Sequence, residues 1–161
     1  MQIFASYLPT PIGTVEIKAN TFNILSISFL EELPVNNNFT TNSISEIGKQ
    51  QLQAYFKKDS VTFDLPLQLN GTNFQNKVWT ALQDIPYGKT TFYEQFAINL
   101  GDAKCIRAAA SANGKNPFAI VVPCHRVIGK NGLLTGYAGG LWRKQWLLEH
   151  EGVLQKQKRL F

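Results

Sequence analysis

The sequence predicts an α+β protein built in two parts: a small antiparallel sheet with one helix, then a mostly helical part that contains a helix-turn-helix. In the first third of the 161 residues, apolar and polar side chains alternate with the period of strands. After residue 72 the apolar residues recur with the period of helices. Residues 66–72 lie between these regions and contain an Asn-Gly turn signal. We therefore expect one domain at 1–70 and a second at 71–161.

The first part has the pattern of a scaffold. Its predicted elements are strands at 2–7, 14–19 and 22–30, a turn at 9–13, a polar loop at 34–38, a helix around 44–56 and a strand-like segment at 61–65. The three strands follow one another closely enough to form an antiparallel meander. No group of polar residues in this part has the pattern of a catalytic site, so we look for the function in the second part.

The second part is predicted to contain four helices. They lie near residues 74–82, 92–100, 103–113 and 141–150. Thr91 and Glu94 have the spacing of a capping box at the start of the second helix, and Asp102 is expected to cap the third. Gly101 ends the second helix, so the second and third helices are joined by a short turn and form a helix-turn-helix candidate. Many helix pairs share this pattern.

Charge is distributed unevenly between the two parts. Residues 1–70 contain four Lys/Arg and six Asp/Glu, a net charge of −2, whereas residues 71–161 contain twelve and five, a net charge of +7. A basic domain beside a slightly acidic one suggests a polyanion as the partner of the second part. A basic surface that serves only solubility would give the same charge.

The third helix of the second part has an unusual composition for a nucleic-acid reader. Helices that read base edges in the major groove usually offer Asn, Gln or several Arg. Residues 103–113 offer mostly methyl groups, with Arg107 in the middle. Small side chains allow close approach to a nucleic acid without reading its sequence, and a single arginine can take the place of an extruded base. The alternative is an Ala-rich helix packed in the core, with Arg107 as an ordinary surface charge.

Cysteine and histidine are too scarce for several classes of site. The chain has two of each, and the cysteine spacing matches neither a disulfide framework nor a zinc pattern, so we expect no metal. No basic segment precedes an apolar leader, and no apolar run approaches 18 residues. We therefore expect a soluble cytoplasmic protein with no membrane partner.

The most informative stretch is residues 120–128, where β-branched apolar runs flank a Pro-Cys-His-Arg sequence. The flanks predict a buried extended segment. A thiol of ordinary pKa is mostly protonated at neutral pH, so a nucleophilic Cys124 needs a base or a positive environment, which His125 and Arg126 could supply directly or through water. Strand neighbours point to opposite faces, so direct contact requires a turn here. A buried cysteine can also be purely structural, as Cys105 is expected to be.

Two further features lie near the end of the chain. Residues 136–140 form a Gly-rich loop around Tyr137 without the spacing of a phosphate-binding motif, so we expect the wall of a pocket for a flat ligand. Glu151 follows the last predicted helix, where the helix dipole disfavours an acid. Its position suggests a role beyond solvation, although a solvated glutamate is the ordinary case.

The sequence Pro-Cys-His-Arg-Val at 123–127 resembles the acceptor-cysteine motif of the O6-alkylguanine-DNA alkyltransferases, which take an alkyl group from guanine onto their own cysteine. Three other segments resemble this family in consistent order, namely Ile-Pro-Tyr-Gly at 85–88, Asn-Pro at 116–117 and Gly-Tyr-Ala-Gly-Gly-Leu at 136–141. The likeness spans roughly residues 74–152. The fold it implies is a sheet-plus-helix domain followed by a winged-helix-like DNA-binding domain.

The resemblance implies a catalytic role for five residues. Cys124 matches the alkyl acceptor, His125 the imidazole that activates it through a water, and Glu151 the carboxylate that orients this imidazole. Tyr93 matches the tyrosine that assists the departing guanine, and Asn116 matches the residue that braces the active-site turn.

The resemblance also implies how DNA is bound. Arg107 matches the arginine that fills the gap left by a flipped nucleotide, and Tyr137, with Ala138 and Gly139, matches the guanine pocket. Lys104, Lys115 and Lys130 are expected to contact phosphates, and Arg126 is expected either to do the same or to be structural. The implied partner is double-stranded DNA containing O6-alkylguanine, bound through the minor groove without sequence preference by a monomer that needs no cofactor.

The implied reaction is irreversible DNA repair in which each molecule reacts once, on O6-methylguanine and also on O4-methylthymine. Some family members carry zinc in the first domain, and this chain lacks the ligands for it. Ala138 stands where some members have Ser, and Ala119 where some have Pro, which leaves pocket polarity and alkyl size open. Two other functions also stay open: a DNA-binding damage sensor without chemistry, and a cysteine hydrolase, which would need an oxyanion hole and a separate histidine such as His150.

Overall fold

The computed structural model describes residues 1–34 and 39–154, so most of the predicted polar loop at 34–38 lies outside the described residues. The chain divides into two compact units, Met1–Leu69 and Asn70–Phe161. No helix of the described residues is both long and apolar enough to cross a bilayer.

The first unit is a three-stranded antiparallel sheet covered by one helix. Strands β1 (Phe4–Thr10), β2 (Gly13–Ala19) and β3 (Ile24–Leu30) pair in the order β1-β2-β3, as the alternation predicts. Helix α1 (Ser43–Phe56) packs against the sheet. Gly48 permits this close packing, because a Cβ there would lie 3.0 Å from Cγ2 of Ile17.

Two local predictions for this unit are corrected. The turn predicted at 9–13 is tighter than expected, because β1 continues to Thr10 and β2 already begins at Gly13. The segment 61–65 is not a strand: the chain makes only an isolated bridge with the sheet, between Leu67 and Ile24. An apolar alternation of five residues was too short to distinguish a strand from a loop that rests on the core.

The second unit is a helical bundle with one short parallel strand pair. Its elements are α2 (Asn73–Leu82), β4 (Thr91–Phe92), α3 (Tyr93–Leu100), α4 (Ile106–Gly114), β5 (Val127–Ile128) and α5 (Leu141–His150). Helices α2, α3 and α4 pack on one another, and the indole of Trp79 donates a hydrogen bond of 2.8 Å to the Ala112 carbonyl.

The helix-turn-helix forms, but its helices begin differently from the prediction. The capping box at Thr91 is wrong: α3 has no side-chain cap, because Thr91 and Phe92 form β4 and pair with β5. Asp102 does cap, accepting a 2.8 Å hydrogen bond from the Lys104 N–H, yet it caps a 3₁₀ turn, Ala103–Cys105, that precedes α4.

The stretch 120–128 is buried as predicted, but it is not extended. Ile120 has a left-handed backbone with φ of 71°, and Cys124–Arg126 form a 3₁₀ turn before β5 begins. The strand β5 pairs in parallel with β4, and residues Lys130–Gly132 form another 3₁₀ turn, so the hairpin-type turn that the Gly-Lys-Asn-Gly sequence at 129–132 predicts does not form.

Candidate active site

Cys124 is the first residue of the 3₁₀ turn and is 6% exposed. The segment leading to it is held by the side chain of Asn116, whose amide donates hydrogen bonds to the carbonyls of Val122 (2.7 Å) and Phe118 (3.3 Å). The side-chain carbonyl of Asn116 accepts a 2.9 Å hydrogen bond from the Phe118 N–H. One asparagine thus satisfies three backbone groups of a buried loop, which fixes the position of the thiol.

His125, Arg126 and Glu151 form a buried ion-paired cluster. Nε2 of His125 lies 2.7 Å from Oε2 of Glu151. Nε of Arg126 donates a 2.8 Å hydrogen bond to Oε1 of the same carboxylate. Arg126 also donates 2.7 Å to the Ile85 carbonyl. The sequence suggested that Glu151 has a role other than solvation, and the structure gives this carboxylate two buried partners.

These contacts set the protonation states of the cluster. Burial alone would raise the pKa of Glu151, but the hydrogen bonds from His125 and Arg126, with the positive charge of Arg126, outweigh it and lower the pKa to about 2. Burial lowers the pKa of His125, although the bond to Glu151 opposes this, so the imidazole is neutral. Because Nε2 donates to the carboxylate, Nδ1 carries a lone pair, and this buried atom has no hydrogen-bond partner among the described residues.

The thiol of Cys124 is protonated at rest. Burial raises its pKa, while a hydrogen bond from Asn116 and the positive charge of Lys144 act in the opposite direction. A buried thiol of raised pKa needs a base at the moment of reaction. The chain forms a 3₁₀ turn here instead of a strand, and because Nδ1 of His125 has no partner among the described residues, its interaction with the thiol has to run through a water.

Lys144 is a site residue that the sequence did not identify. Its ammonium is fully buried and donates hydrogen bonds to the carbonyls of Val127 (2.8 Å) and Thr135 (2.9 Å). Burial lowers its pKa to about 8, and Cys124 opposes this when it is ionised to the thiolate. One signal was available: Lys144 lies three residues after Leu141 and three before Leu147, on the apolar face of α5.

A cavity of about 830 Å³ lies within the second unit. Tyr93 and Tyr137 line it together with Lys130, Ala110 and glycines 114, 129 and 136. The Tyr137 hydroxyl is buried without a protein partner among the described residues, so the cavity has a polar group to offer to a ligand. Ala138 and Gly139, which the resemblance also assigns to the pocket, are not among the residues that line this cavity. Ala138 is exposed, and the carbonyl of Gly139 accepts a 3.0 Å hydrogen bond from Arg143.

Tyr93 stands at the first position of α3, and its hydroxyl accepts a 3.2 Å hydrogen bond from the amide of Asn113 in α4. The same amide donates 3.3 Å to the backbone carbonyl of Cys124. The first turn of α3, the last turn of α4 and the acceptor turn therefore meet at one side chain. Asn113 was not singled out from the sequence, because an asparagine near the end of a helix is ordinary.

Helix α4 has one exposed face and one buried face. Arg107, Ala108 and Ser111 are exposed on one face, with Lys104 before them and Lys115 after. Ala109, Ala112 and Asn113 are buried on the other. The exposed surface combines methyl groups with three cations. The alternative of an Ala-rich helix packed against the core, with Arg107 as an ordinary surface charge, is compatible with the same burial.

The remaining candidates give simpler results. Cys105 is half-buried, with its sulfur 3.8 Å from the Ala97 carbonyl, as a structural cysteine would be. The ring of His150 stacks on Trp146 with centroids 4.8 Å apart. Within the described ranges, no three His, Cys, Asp or Glu side chains come together as a metal site.

Comparison with known proteins identifies the family. A family model described as "6-O-methylguanine DNA methyltransferase, DNA binding domain" matches residues 73–153, and one described as "6-O-methylguanine DNA methyltransferase, ribonuclease-like domain" matches residues 3–69. The chain belongs to the 6-O-methylguanine DNA methyltransferase family.

Relatives match this family member along most of its length. A methylated-DNA--protein-cysteine methyltransferase of Methanosarcina acetivorans is 40% identical over 154 residues, which cover 93% of this chain and 99% of the relative. A Mycobacterium tuberculosis protein of the same name is 43% identical over 147 residues, covering 89% of each.

Solved structures agree with the fold. The crystal structure of Mycobacterium tuberculosis O6-methylguanine methyltransferase has a TM-score of 0.83 at 39% identity, covering 98% of this chain and 97% of that chain. A crystal structure of Mycobacterium tuberculosis OGT in complex with DNA has a TM-score of 0.81 at 40% identity, covering 94% of this chain and 92% of that chain. The family resemblance and the α+β fold class predicted from the sequence are both confirmed.

Proposed function

We propose that this chain repairs DNA by transferring the O6-alkyl group of guanine to Cys124. The observation that carries the proposal is the buried thiol next to a neutral imidazole, which is tied to an ionised carboxylate and keeps one ring nitrogen as a base. The cavity lined by Tyr93 and Tyr137 supports an aromatic substrate. Relatives named methylated-DNA--protein-cysteine methyltransferase support the same activity.

The target oxygen lies inside the duplex, so the nucleotide has to be extruded into the cavity at a cost of a few kcal/mol. The exposed face of α4 is suited to the minor groove, because small residues at Ala108 and Ser111 allow close approach without reading bases. Arg107 would fill the gap in the base stack. Lys104, Lys115 and Lys130 are exposed and would contact phosphates, which offsets the cost of extrusion.

The transfer step balances with groups of this chain. The Cys124 thiol gives its proton to Nδ1 of His125 through a water, and Glu151 stabilises the imidazolium that forms. The sulfur attacks the alkyl carbon, an S–C bond forms, and the C–O bond breaks with its electron pair going to guanine. Tyr93 donates a hydrogen bond or a proton to the departing base. If Tyr93 loses its proton, the proton taken up by His125 returns to the Tyr93 hydroxyl through solvent.

The product is a thioether, which is a stable bond, so each molecule reacts once and no cofactor is needed. O4-methylthymine carries the same alkyl–oxygen bond on a smaller aromatic base, and we include it as a second substrate. Binding is proposed to be monomeric and independent of sequence, since the exposed face of α4 offers few groups that read base edges.

Intact mass spectrometry after mixing with duplex DNA containing O6-methylguanine tests the proposal. We expect one added methyl group per chain, mapped to Cys124, absent in Cys124→Ser and retained in the matched control Cys105→Ser. DNA binding without a change in mass would instead indicate a damage sensor. If the protein neither binds the DNA nor changes in mass, the cysteine hydrolase becomes the favoured function. A parallel duplex with O4-methylthymine tests the second substrate.

A further inference from the structure

We infer that Asn113 is a positioning residue for the transfer: its amide holds Tyr93 as a hydrogen-bond donor to the departing base and ties the acceptor turn to the DNA-facing helix. The inference rests on the proposed function and adds to it a residue that belongs to none of the motifs. Asn113 is 3% exposed and stands in the last turn of α4.

The orientation of the amide follows from its two partners. The backbone carbonyl of Cys124, 3.3 Å away, can only accept a hydrogen bond, so the group that faces it is Nδ2 and not Oδ1. Nδ2 has two hydrogens, and the second points to the Tyr93 hydroxyl at 3.2 Å. With the amide reversed, two oxygens would face each other, and the carbonyl of Cys124 would keep only the N–H of Val127 as a donor.

This orientation determines what Tyr93 can do. Its oxygen accepts from Asn113, so the phenolic proton is not used in that contact and can be donated to an acceptor in the cavity that Tyr93 lines. A departing guanine develops negative charge and needs a donor, not an acceptor. An aspartate or another acceptor at position 113 would turn the hydroxyl the other way and consume its proton.

Asn113 also has a feature that a purely structural residue lacks. Its Oδ1 is buried and has no hydrogen-bond partner among the described residues. Buried polar groups without partners are costly, and an Ala such as its neighbours Ala109 and Ala112 on the same face would avoid that cost. The amide therefore contributes through the two hydrogen bonds it donates.

The position in α4 connects binding to chemistry. Arg107 and Ser111 are exposed on the opposite side of the same helix, where DNA is proposed to dock. A shift of this helix on the DNA would act through Asn113 on both the hydroxyl of Tyr93 and the backbone of Cys124. Side chains that hold reacting groups within fractions of an ångström are a known source of rate enhancement.

The test is a double-mutant cycle of Asn113→Leu and Tyr93→Phe, measured as the single-turnover rate of methyl transfer from O6-methylguanine duplex DNA. We expect Asn113→Leu to slow transfer at least about tenfold, because general acid assistance is worth about a hundredfold or more. In the Tyr93→Phe background the same change should have a smaller effect, because only the hydrogen bond to the Cys124 carbonyl is then lost. Asn99→Leu, an exposed asparagine in α3, is the matched control.

Two other readouts separate positioning from simple damage. Affinity for undamaged duplex should not change. The rate at which iodomethane methylates Cys124 should fall much less than the rate of transfer from DNA, since iodide leaves without needing a proton. Asn113→Ala serves as the second variant if the leucine is not tolerated, and melting temperatures establish that each variant is folded.

Additive effects in the cycle, an equal loss of iodomethane reactivity, or an unchanged transfer rate would each overturn the inference while the wild type still accepts methyl. A wild type that takes up no methyl from DNA would overturn the proposed function, and the inference with it.

Discussion

At the scale of single residues, the charge of Lys144 is predicted to tune the acceptor. Its ammonium is buried, and its positive charge lowers the pKa of Cys124 against the larger effect of burial. Lys144→Met should therefore raise the pKa of the thiol further. The measurement is the pH dependence of Cys124 alkylation by iodoacetamide, whose midpoint should move to higher pH, with slower alkylation at neutral pH.

The matched control is Lys89→Met, since Lys89 is exposed and should leave the midpoint unchanged. Loss of the Lys144 hydrogen bonds to the carbonyls of Val127 and Thr135 should also lower the melting temperature. A lower melting temperature with an unchanged alkylation midpoint would mean that Lys144 only holds the loop in place.

Sequence could identify the reactive residues better than the residues that support them. Cys124, His125 and Glu151 stand out because a thiol, an imidazole and an acid occur where apolar residues or cations are expected. Lys144 and Asn113 do not, because each is an ordinary residue on an amphipathic helix and its role depends on which carbonyls the fold brings to it.

At the scale of elements, α4 is predicted to be the surface that enters the minor groove. Ser111→Glu places an acid on its exposed small-residue face, where it would meet phosphates and occupy the space of close approach. Affinity for duplex DNA should fall about tenfold or more, while the melting temperature stays unchanged because the position is exposed. Fluorescence anisotropy with a labelled duplex at two salt concentrations measures this.

Thr80→Glu on α2 is the matched control, because it adds the same charge at an exposed helical position of the same unit. Equal loss of affinity in both variants would point to net charge rather than to α4 as the cause. Loss in Ser111→Glu alone would assign the interface to this helix.

The elements that sequence patterns predicted well are those with a long period. The three strands of the sheet and helices α1, α2 and α5 follow from alternation and helical spacing. The pairing of β4 with β5 could not be predicted, since each has two residues and they lie far apart in sequence. The left-handed backbone of Ile120 is also invisible in sequence, because a β-branched residue rarely adopts it and only the surrounding core enforces it.

At the scale of the whole molecule, the buried cluster at the active site should make the second unit sensitive to acid. Glu151 has a pKa of about 2 in the folded protein and an ordinary value of 4.5, so it stabilises the fold above pH 4.5 and this contribution is lost as pH falls from 4.5 through 2. The loss is at most about 3 kcal/mol. Burial lowers the pKa of His125 from 6.5, so acidification below pH 6.5 also favours the unfolded chain.

Denaturant unfolding monitored by tryptophan fluorescence measures this effect specifically, since all three tryptophans lie in residues 71–161. The free energy of unfolding should fall as pH is lowered from 6.5 towards 2. Glu151→Gln should be less stable at neutral pH, because the guanidinium of Arg126 loses its partner, and its stability should depend less on pH. The control is Glu149→Gln, which lies in the last turn of α5, two residues before Glu151. The stability of this variant should depend on pH as in the wild type. Parallel curves for wild type and Glu151→Gln would show that the acid sensitivity comes from other carboxylates, and the catalytic cluster would then have no part in holding the fold together.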